Sequence, residues 1–298
     1  MADSIFSFSQ GLADVVAASS PAVVRVEGRR RLAATGIVWT DDGVIITADH
    51  VVRQDENLMV GLNDGQTVEA KLIGRDPTTD LALLQVSATG LAPLAQADES
   101  GMSVGHIVLA LGRPGRTVQA TLGIVSAYSS EWRTSMGGQI DHYLQTDVVM
   151  YPGFSGGPLV GADGRLLGLN TSALGQGVSL AIPAVTLGRV AEALRAHGRV
   201  RRGYLGVSTQ RVRLPEAVAE SLGQKRGLLV VSVEANSPAA EGGLTLGDTI
   251  VGVGGHPIRN HEDLLGALSG EVVGQKETVR IVRGGQAQEL QVKIGERA

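Results

Sequence analysis

From Ala22 to Asn170 apolar residues come in short, closely spaced runs. They are Val23-Val24-Arg25-Val26, Gly36-Ile37-Val38-Trp39, Val44-Ile45-Ile46-Thr47, Leu58-Met59-Val60, Ala70-Lys71-Leu72-Ile73 and Leu81 to Val86, then Ile107–Leu111, Thr117–Val125, Leu144–Val149, Leu159-Val160 and Leu166–Asn170. Turn signals such as Asp41-Asp42-Gly43 and Asn63-Asp64-Gly65 punctuate them, and β-branched runs bounded by such residues read as strands. Helical spacing shows only at the flanks. Leu12, Val15, Val16 and Ala17 stripe a short helix over Ser9–Ser20, ended by Pro21, and Leu187, Val190, Ala191 and Leu194 form the apolar face of a helix over Val185–Ala196. Strand after strand without a βαβ rhythm predicts an all-β sandwich or a pair of barrels.

The remainder has a different rhythm. Tyr204-Leu205-Gly206-Val207 and Gly227–Val231 read as strands, Ser237-Pro238-Ala239-Ala240 starts a short helix, and Gly247–Val253 returns to strand. A helix over His261–Leu268 and a strand over Val279–Arg283, turning at Gly284-Gly285 into a last hairpin, complete a small α+β unit. The charged, glycine-bounded stretch His197–Gly203 reads as a linker. The expected division is therefore 1–197, a linker at 198–203, and 204–298.

Composition narrows the functional classes. The 298 residues are 43% hydrophobic but only 3% aromatic, so the cores must be built of Val, Leu, Ile and Ala. The 41 glycines are scattered, as suits many tight turns. A formal charge of −4 argues against a nucleic-acid footprint. With no cysteine, disulfides, thiolate metal sites and cysteine nucleophiles are excluded. No apolar run approaches the ~18 residues of a membrane span, and Met1–Phe6 lacks the basic and apolar regions of a secretory leader. The expected location is cytoplasmic, or periplasmic or otherwise extracytoplasmic if a leader has been removed. His106, His142, His197, His256 and His261 lack carboxylates at ligand spacing, so no metal or other cofactor is expected.

The candidate chemistry centres on Gly153-Phe154-Ser155-Gly156-Gly157-Pro158. Glycines around a serine suit a tight, exposed loop whose backbone N–H groups face a bound oxyanion, with Gly153 and Ser155 as the donors. A flexible turn with an incidental serine fits the hexapeptide too. His50, at the end of a buried strand, reads alone as a structural histidine, and Asp80, in Asp76-Pro77-Thr78-Thr79-Asp80, as a turn residue. Together with Ser155 they supply a base, its orienter and a nucleophile, in the order His, Asp, Ser of the chymotrypsin-type enzymes. The G-x-S-x-G elbow of α/β-hydrolases needs a strand–turn–helix, whereas a strand at Pro158-Leu159-Val160 follows here.

Ile46–Val52, Asp76–Leu84, Gly123-Ile124-Val125-Ser126, Gln145-Thr146-Asp147, Gly153–Val160 and Ala181-Ile182-Pro183 resemble the HtrA/Deg family, in order along nearly the whole chain. The resemblance implies a mostly β protein: a chymotrypsin-like double β-barrel serine protease, then a PDZ domain. It implies His50 as general base, Asp80 as its orienter and Ser155 as nucleophile. It also implies an S1 pocket lined by Asn170-Thr171-Ser172-Ala173-Leu174 and Val178-Ser179-Leu180-Ala181, where no carboxylate would meet a basic side chain, so cleavage is expected after Val, Ala, Leu or Ile. Tyr204, Leu205, Gly206 and Val207 match a carboxylate-binding loop that captures peptide C-termini, the peptide adding as a strand. Unfolded proteins or peptides are the implied substrates, with no ATP requirement because no P-loop is present. A homotrimer formed through Phe6 and Phe8 is implied as well; packing of these two rings onto the chain's own core is the other reading. The chain departs from the family at Phe154, where asparagine is usual, and at Tyr151-Pro152. Because the expected oxyanion donors are backbone groups, Phe154 need not abolish catalysis; its bulk beside the nucleophile is a route to altered substrate approach or an inactive loop, and a latent protease with a chaperone or peptide-sensing role is the alternative.

Overall fold

A computed structural model describes residues 2–29, 32–98, 101–175, 177–268 and 272–296. The chain divides into two compact units, Met1–Val200 and Arg201–Ala298.

The first unit opens with helix α1 (Ala2–Ser19), followed by strands β1 (Val23–Glu27), β2 (Ala34–Val38), β3 (Val44–Ala48), β4 (Leu58–Gly61), β5 (Thr67–Asp76) and β6 (Leu81–Val86). These strands close into an antiparallel barrel in the order β1-β2-β3-β6-β5-β4. After β7 (Ile107–Gly112) and β8 (Gln119–Ser129) comes a small hairpin, β9 (Trp132–Arg133) and β10 (Gln139–Ile140). With β11 (Tyr143–Thr146), β12 (Pro158–Gly161), β13 (Leu166–Thr171) and β14 (Ser179–Pro183), strands β7 and β8 close a second barrel in the order β11-β14-β13-β12-β7-β8. Closure removes the free edges that an open sheet would expose. Helix α2 (Ala184–His197) packs on β5 and β6 of the first barrel and on β13 and β14 of the second, burying Leu187, Val190, Ala191 and Leu194. It ends where Gly198 adopts a left-handed conformation.

The second unit holds β15 (Gly203–Tyr204), β16 (Val207–Arg213), α3 (Glu216–Leu222), β17 (Arg226–Val233), α4 (Pro238–Glu241), β18 (Thr249–Val253), β19 (His256–Pro257), α5 (His261–Ala267), β20 (Lys276–Arg283), β21 (Gln286–Lys293) and β22 (Gly295–Glu296). Its sheet runs β16-β17-β18-β20-β21 with β19 paired to β18, and its core gathers Leu228, Val230, Ile250, Val253, Val279, Ile281 and Val292. Among the described residues strand β16 pairs only with β17, which leaves its other edge open.

Several expectations need correction. The first helix starts seven residues before Ser9 and contains Phe6 and Phe8 rather than following them; Ala2–Phe8 holds no glycine or proline to break it. Both phenylalanines lie exposed, so they do not staple onto the chain's own core. The short helix α3 went unpredicted, since seven residues beside Pro215 carry little periodicity. His197 belongs to α2 and Gly203 to β15, so the irregular stretch between the last helix and the second unit is shorter than the linker expected.

Candidate active site

His50 sits on a single 3-10 turn, Asp49–Val51, just after β3. Its position is fixed twice by Asp80. The His50 backbone N–H donates to Asp80 Oδ1 at 2.9 Å, and the ring Nδ1 lies 3.0 and 2.9 Å from Asp80 Oδ1 and Oδ2. The Asp49 N–H donates to the Asp80 carbonyl, so the two turns are stitched through backbone as well. Asp80 adopts a left-handed conformation, φ 57°, uncommon outside glycine but tolerated by Asp. The turn before it over-determines that geometry. Asp76 accepts from the Thr78 N–H and both threonine hydroxyls of the turn, and Thr134 Oγ1 donates to the Thr78 carbonyl. Beside the histidine, burial pushes the Asp49 carboxyl above its usual range despite the Arg75 guanidinium at 2.5 Å. Among the described residues Asp80, His50 and Asp49 thus belong to one tightly braced corner of the first barrel.

Ser155 arrives from the other barrel, in the loop between β11 and β12. The loop is not the exposed turn that its glycines suggested: residues 153–157 are buried, and Ser155 is only 7% exposed. Gly156 shows why glycine is needed. Its φ is +89°, and a Cβ there would meet the Thr35 carbonyl at 2.0 Å and Thr47 Oγ1 at 2.4 Å. The loop therefore lies directly against β2 and β3, next to the turn that carries His50. Strand β13 provides the second anchor: the Gly156 N–H donates to the Asn170 carbonyl at 2.9 Å, and Asn170 Nδ2 donates to the carbonyls of Gly157 and Pro158. Two neighbours on the same strand end then join both halves. Thr171 Oγ1 donates to Asp80 Oδ2, and Ser172 Oγ shares a 3.1 Å hydrogen bond with Ser155 Oγ.

Thr35, buried on β2, is the residue that sequence reasoning missed. Its hydroxyl donates to the Gly153 carbonyl at 2.7 Å and accepts the Arg113 N–H at 2.8 Å, while its own N–H donates to the Ser155 carbonyl at 3.2 Å. With the Gly153 carbonyl taken by Thr35 and the Phe154 N–H by the Tyr151 carbonyl, the N–H groups of Gly153 and Ser155 have no backbone partner among the described residues. They are the donors expected for an oxyanion. No local motif could have revealed Thr35, because it lies 118 residues from Gly153.

One expectation about the site fails. Phe154 does not crowd Ser155: it is fully buried among Val108, Val125, Leu144 and Leu159, with its ring edge-on to Tyr151 at 5.7 Å between centroids. The backbone turn between Phe154 and Ser155 sends one side chain into the barrel and the other towards β13. The segments expected to line S1 differ in exposure. Asn170 and Thr171 are buried and engaged as described, Leu180 is buried, and Ala181 packs in the second barrel's core. Ser172 and Ala173 remain exposed and Leu174 half-buried beside Ser155. Among the described residues no group of three or more His, Asp or Glu could hold a metal ion, and no helix is long and apolar enough to cross a membrane.

The second unit has its own ledge. The Leu205 and Gly206 carbonyls accept from the N–H groups of Ala239 and Glu234 at 2.8 and 2.9 Å, and the Tyr204 hydroxyl donates to Glu234. The Leu205 and Gly206 N–H groups have no hydrogen-bond partner among the described residues. Gly206 has φ +78°, and a Cβ there would stand 2.3 Å from that of Ser237. The ledge opens onto the free edge of β16, alongside which α5 is tethered by His261 Nε2 at 3.0 Å from the Thr209 carbonyl.

Comparison with known proteins agrees with both halves. Residues 34–169 match the trypsin-like peptidase domain model and residues 203–294 the PDZ domain model. A probable periplasmic serine endoprotease DegP-like of Pseudomonas putida is 38% identical over 267 residues, covering 88% of this chain and 55% of the relative. Its counterpart in Pseudomonas fulva is 39% identical over 277 residues, covering 90% and 57%. The chain thus spans about half the length of the curated relatives it matches. Among solved structures, the serine endoprotease from Yersinia pestis superposes with a TM-score of 0.79 at 32% identity, covering 96% of this chain and 98% of that one. The HtrA-type protease AlgW with decapeptide gives 0.80 at 29% identity, with the same coverage.

Proposed function

This chain belongs to the HtrA family of trypsin-like serine proteases with a PDZ domain, and we propose from that premise that it is a serine endopeptidase using His50, Asp80 and Ser155. The observation that carries the proposal is the Asp80 carboxylate set 2.9 to 3.0 Å from His50 Nδ1. A carboxylate there holds the proton on Nδ1 and leaves Nε2 as the base. Nε2 takes the Ser155 hydroxyl proton as Oγ attacks the scissile carbonyl. The Gly153 and Ser155 N–H groups receive the oxyanion. The imidazolium returns the proton to the leaving amine as the C–N bond breaks, and water with the same base releases the acyl group. In the resting arrangement Ser155 Oγ bonds to Ser172 rather than His50, and arriving substrate redirects it, as hydrogen bonds in unliganded sites tighten on binding.

Substrates are proposed to be unfolded or damaged proteins, cut without ATP after small or aliphatic residues. The uncharged surface of exposed Ser172 and Ala173 and half-buried Leu174 supports that preference. The unpartnered Leu205 and Gly206 N–H groups support capture of a peptide C-terminus, with the peptide adding to β16. Ile5, Phe6 and Phe8, 68%, 70% and 51% exposed on α1, support self-association into a trimer. Because the named relatives are periplasmic, we infer a protein quality-control role in that compartment. The test is casein hydrolysis by the purified chain beside Ser155→Ala. The expected result is loss of at least about a thousandfold in rate in the variant; equal cleavage by both overturns the assignment. Hydrolysis by neither favours the latent, chaperone-like reading.

A further inference from the structure

Away from the ledge, at the far end of β16, the second unit carries an open cleft of about 1040 Å³. Five cations line it: Arg211 and Arg213 from β16, Lys225 and Arg226 from the turn into β17, and Arg259 from the residues leading to α5. Only two carboxylates, Glu216 and Glu220, share the lining. Among the described residues none of the five cationic side chains makes an ion pair or a hydrogen bond. Elsewhere in this unit Arg201 faces Glu296, Arg280 faces Glu289 and Arg283 faces Asp248. An unneutralised basic cleft also runs against the charge of the whole chain, which is −4. Charged side chains do protect open strand edges from mispairing. That explains Arg211 and Arg213, but not Lys225, Arg226 and Arg259, which converge on the same cleft from other segments.

We propose that this cleft reads acidic residues upstream of a bound peptide's C-terminus. The inference rests on the reading of the ledge as a C-terminal carboxylate site. A peptide whose carboxylate lies at Leu205-Gly206 must run away from its own C-terminus along the open edge of β16, antiparallel to it. At ~3.3 Å per residue, and with strands pairing one to one, its C-terminal residue lies beside Val207. The residues roughly four and six positions earlier then lie beside Arg211 and Arg213, and the next few reach Arg226 and Lys225. The ligand is thus an extended peptide with an apolar C-terminus and Asp or Glu about four to eight positions before it. The ledge supplies the anchor and the cleft supplies selection between otherwise similar ends, by charge complementarity.

The experiment uses the full chain carrying Ser155→Ala, so that probes stay intact, and fluorescein-labelled decapeptides read by anisotropy. All share one apolar four-residue C-terminus. One carries Glu at the upstream positions, one Gln there, and one is the Glu peptide with a C-terminal amide. The Glu peptide is expected to bind about fivefold tighter than the Gln peptide at low salt, the sum expected of a few exposed charge pairs, with the gap closing at high salt. The double variant Arg211→Gln, Arg226→Gln should remove the gap while leaving the Gln peptide's affinity unchanged, which also shows that the unit has folded. Equal binding of Glu and Gln peptides, or a gap that survives the double variant, overturns the inference with the ledge reading intact. Amide binding equal to that of the free acid overturns the ledge reading itself. A short single-stranded oligonucleotide that binds more tightly than the Glu peptide would reassign the cleft to nucleic acid and overturn the proposal.

Discussion

The corner holding Ser155 and the ledge at Leu205-Gly206 both present backbone N–H groups that have no backbone partner among the described residues, yet they are built on opposite principles. Around Ser155 the neighbouring polar atoms are committed: Thr35, Asn170, Thr171 and Asp80 tie the loop, His50 and the two barrels into one network. At the ledge the carbonyls are fixed, but the adjoining strand edge is open and the basic cleft beyond it is unneutralised. Bond-making needs reacting groups held near their final geometry before substrate arrives. Recognition of a variable chain end needs donors, an edge and a field left unsatisfied until the ligand satisfies them.

The contrast can be broken at graded cost. Asp80→Asn keeps a residue that tolerates the left-handed backbone but removes the charge opposite His50 Nδ1. The expected loss in kcat is about ten-thousandfold, and loss below tenfold in casein hydrolysis would disqualify Asp80 as orienter. Next in size, Phe154→Ala empties a fully buried ring site in the second barrel and should cost about 3–5 kcal/mol, seen as a lower urea midpoint. If Phe154 instead restrained the loop, the same variant would gain activity with little change in midpoint. Thr35→Val removes the hydroxyl between Gly153 and Arg113 and should lower kcat about ten- to hundredfold with KM little changed. Thr35→Ser should restore most of the rate, whereas a merely structural role would lower stability and leave kcat alone. On the other side, Gly206→Ala places a Cβ against Ser237 and should weaken C-terminal peptide binding by about tenfold or more. Hydrolysis of a short fluorogenic peptide by Ser155 should not change.

The smallest effect is electrostatic. Burial acts to raise the Asp248 carboxyl, but hydrogen bonds from Arg283 and Thr245 outweigh it and hold the group below its usual 3.8. Its contribution is fully present above that value and is lost as the pH falls through the lowered one. Asp248→Asn should therefore lower the melting temperature of the second unit at pH 7, with the gap to the parent narrowing below about pH 4. A gap independent of pH would remove the charge from the explanation.

Much of this was legible in the sequence, for identifiable reasons. Apolar runs bounded by turn residues placed β1, β3, β6 and β7 to within a residue at each end, because those strands are buried on both faces. The His50, Asp80 and Ser155 motifs are local strings and could be read as such. What escaped reading is non-local or rotational. Thr35 matters through partners far along the chain. The direction of Phe154 depends on a single turn of backbone that composition does not encode. Asn170 and Thr171 were assigned to the pocket by resemblance alone; that Asn170 holds the Gly157 and Pro158 carbonyls and Thr171 the Asp80 carboxylate follows from partners that no local string names. The start of α1 was lost because the apolar stripe that marks the helix begins only at Leu12.

The division of the site between barrels carries a consequence for the life of the chain before it is complete. During synthesis, a ribosome releases His50 and Asp80 a hundred residues or so before Asn170, Thr171 and Ser172, so the first barrel can fold without any means of cutting a bond. Ser155 gains its working surroundings only when β13 has been made and β2 has closed over the loop. On the proposed mechanism, a nascent chain of this construction is chemically silent towards itself and its neighbours until β13 is in place.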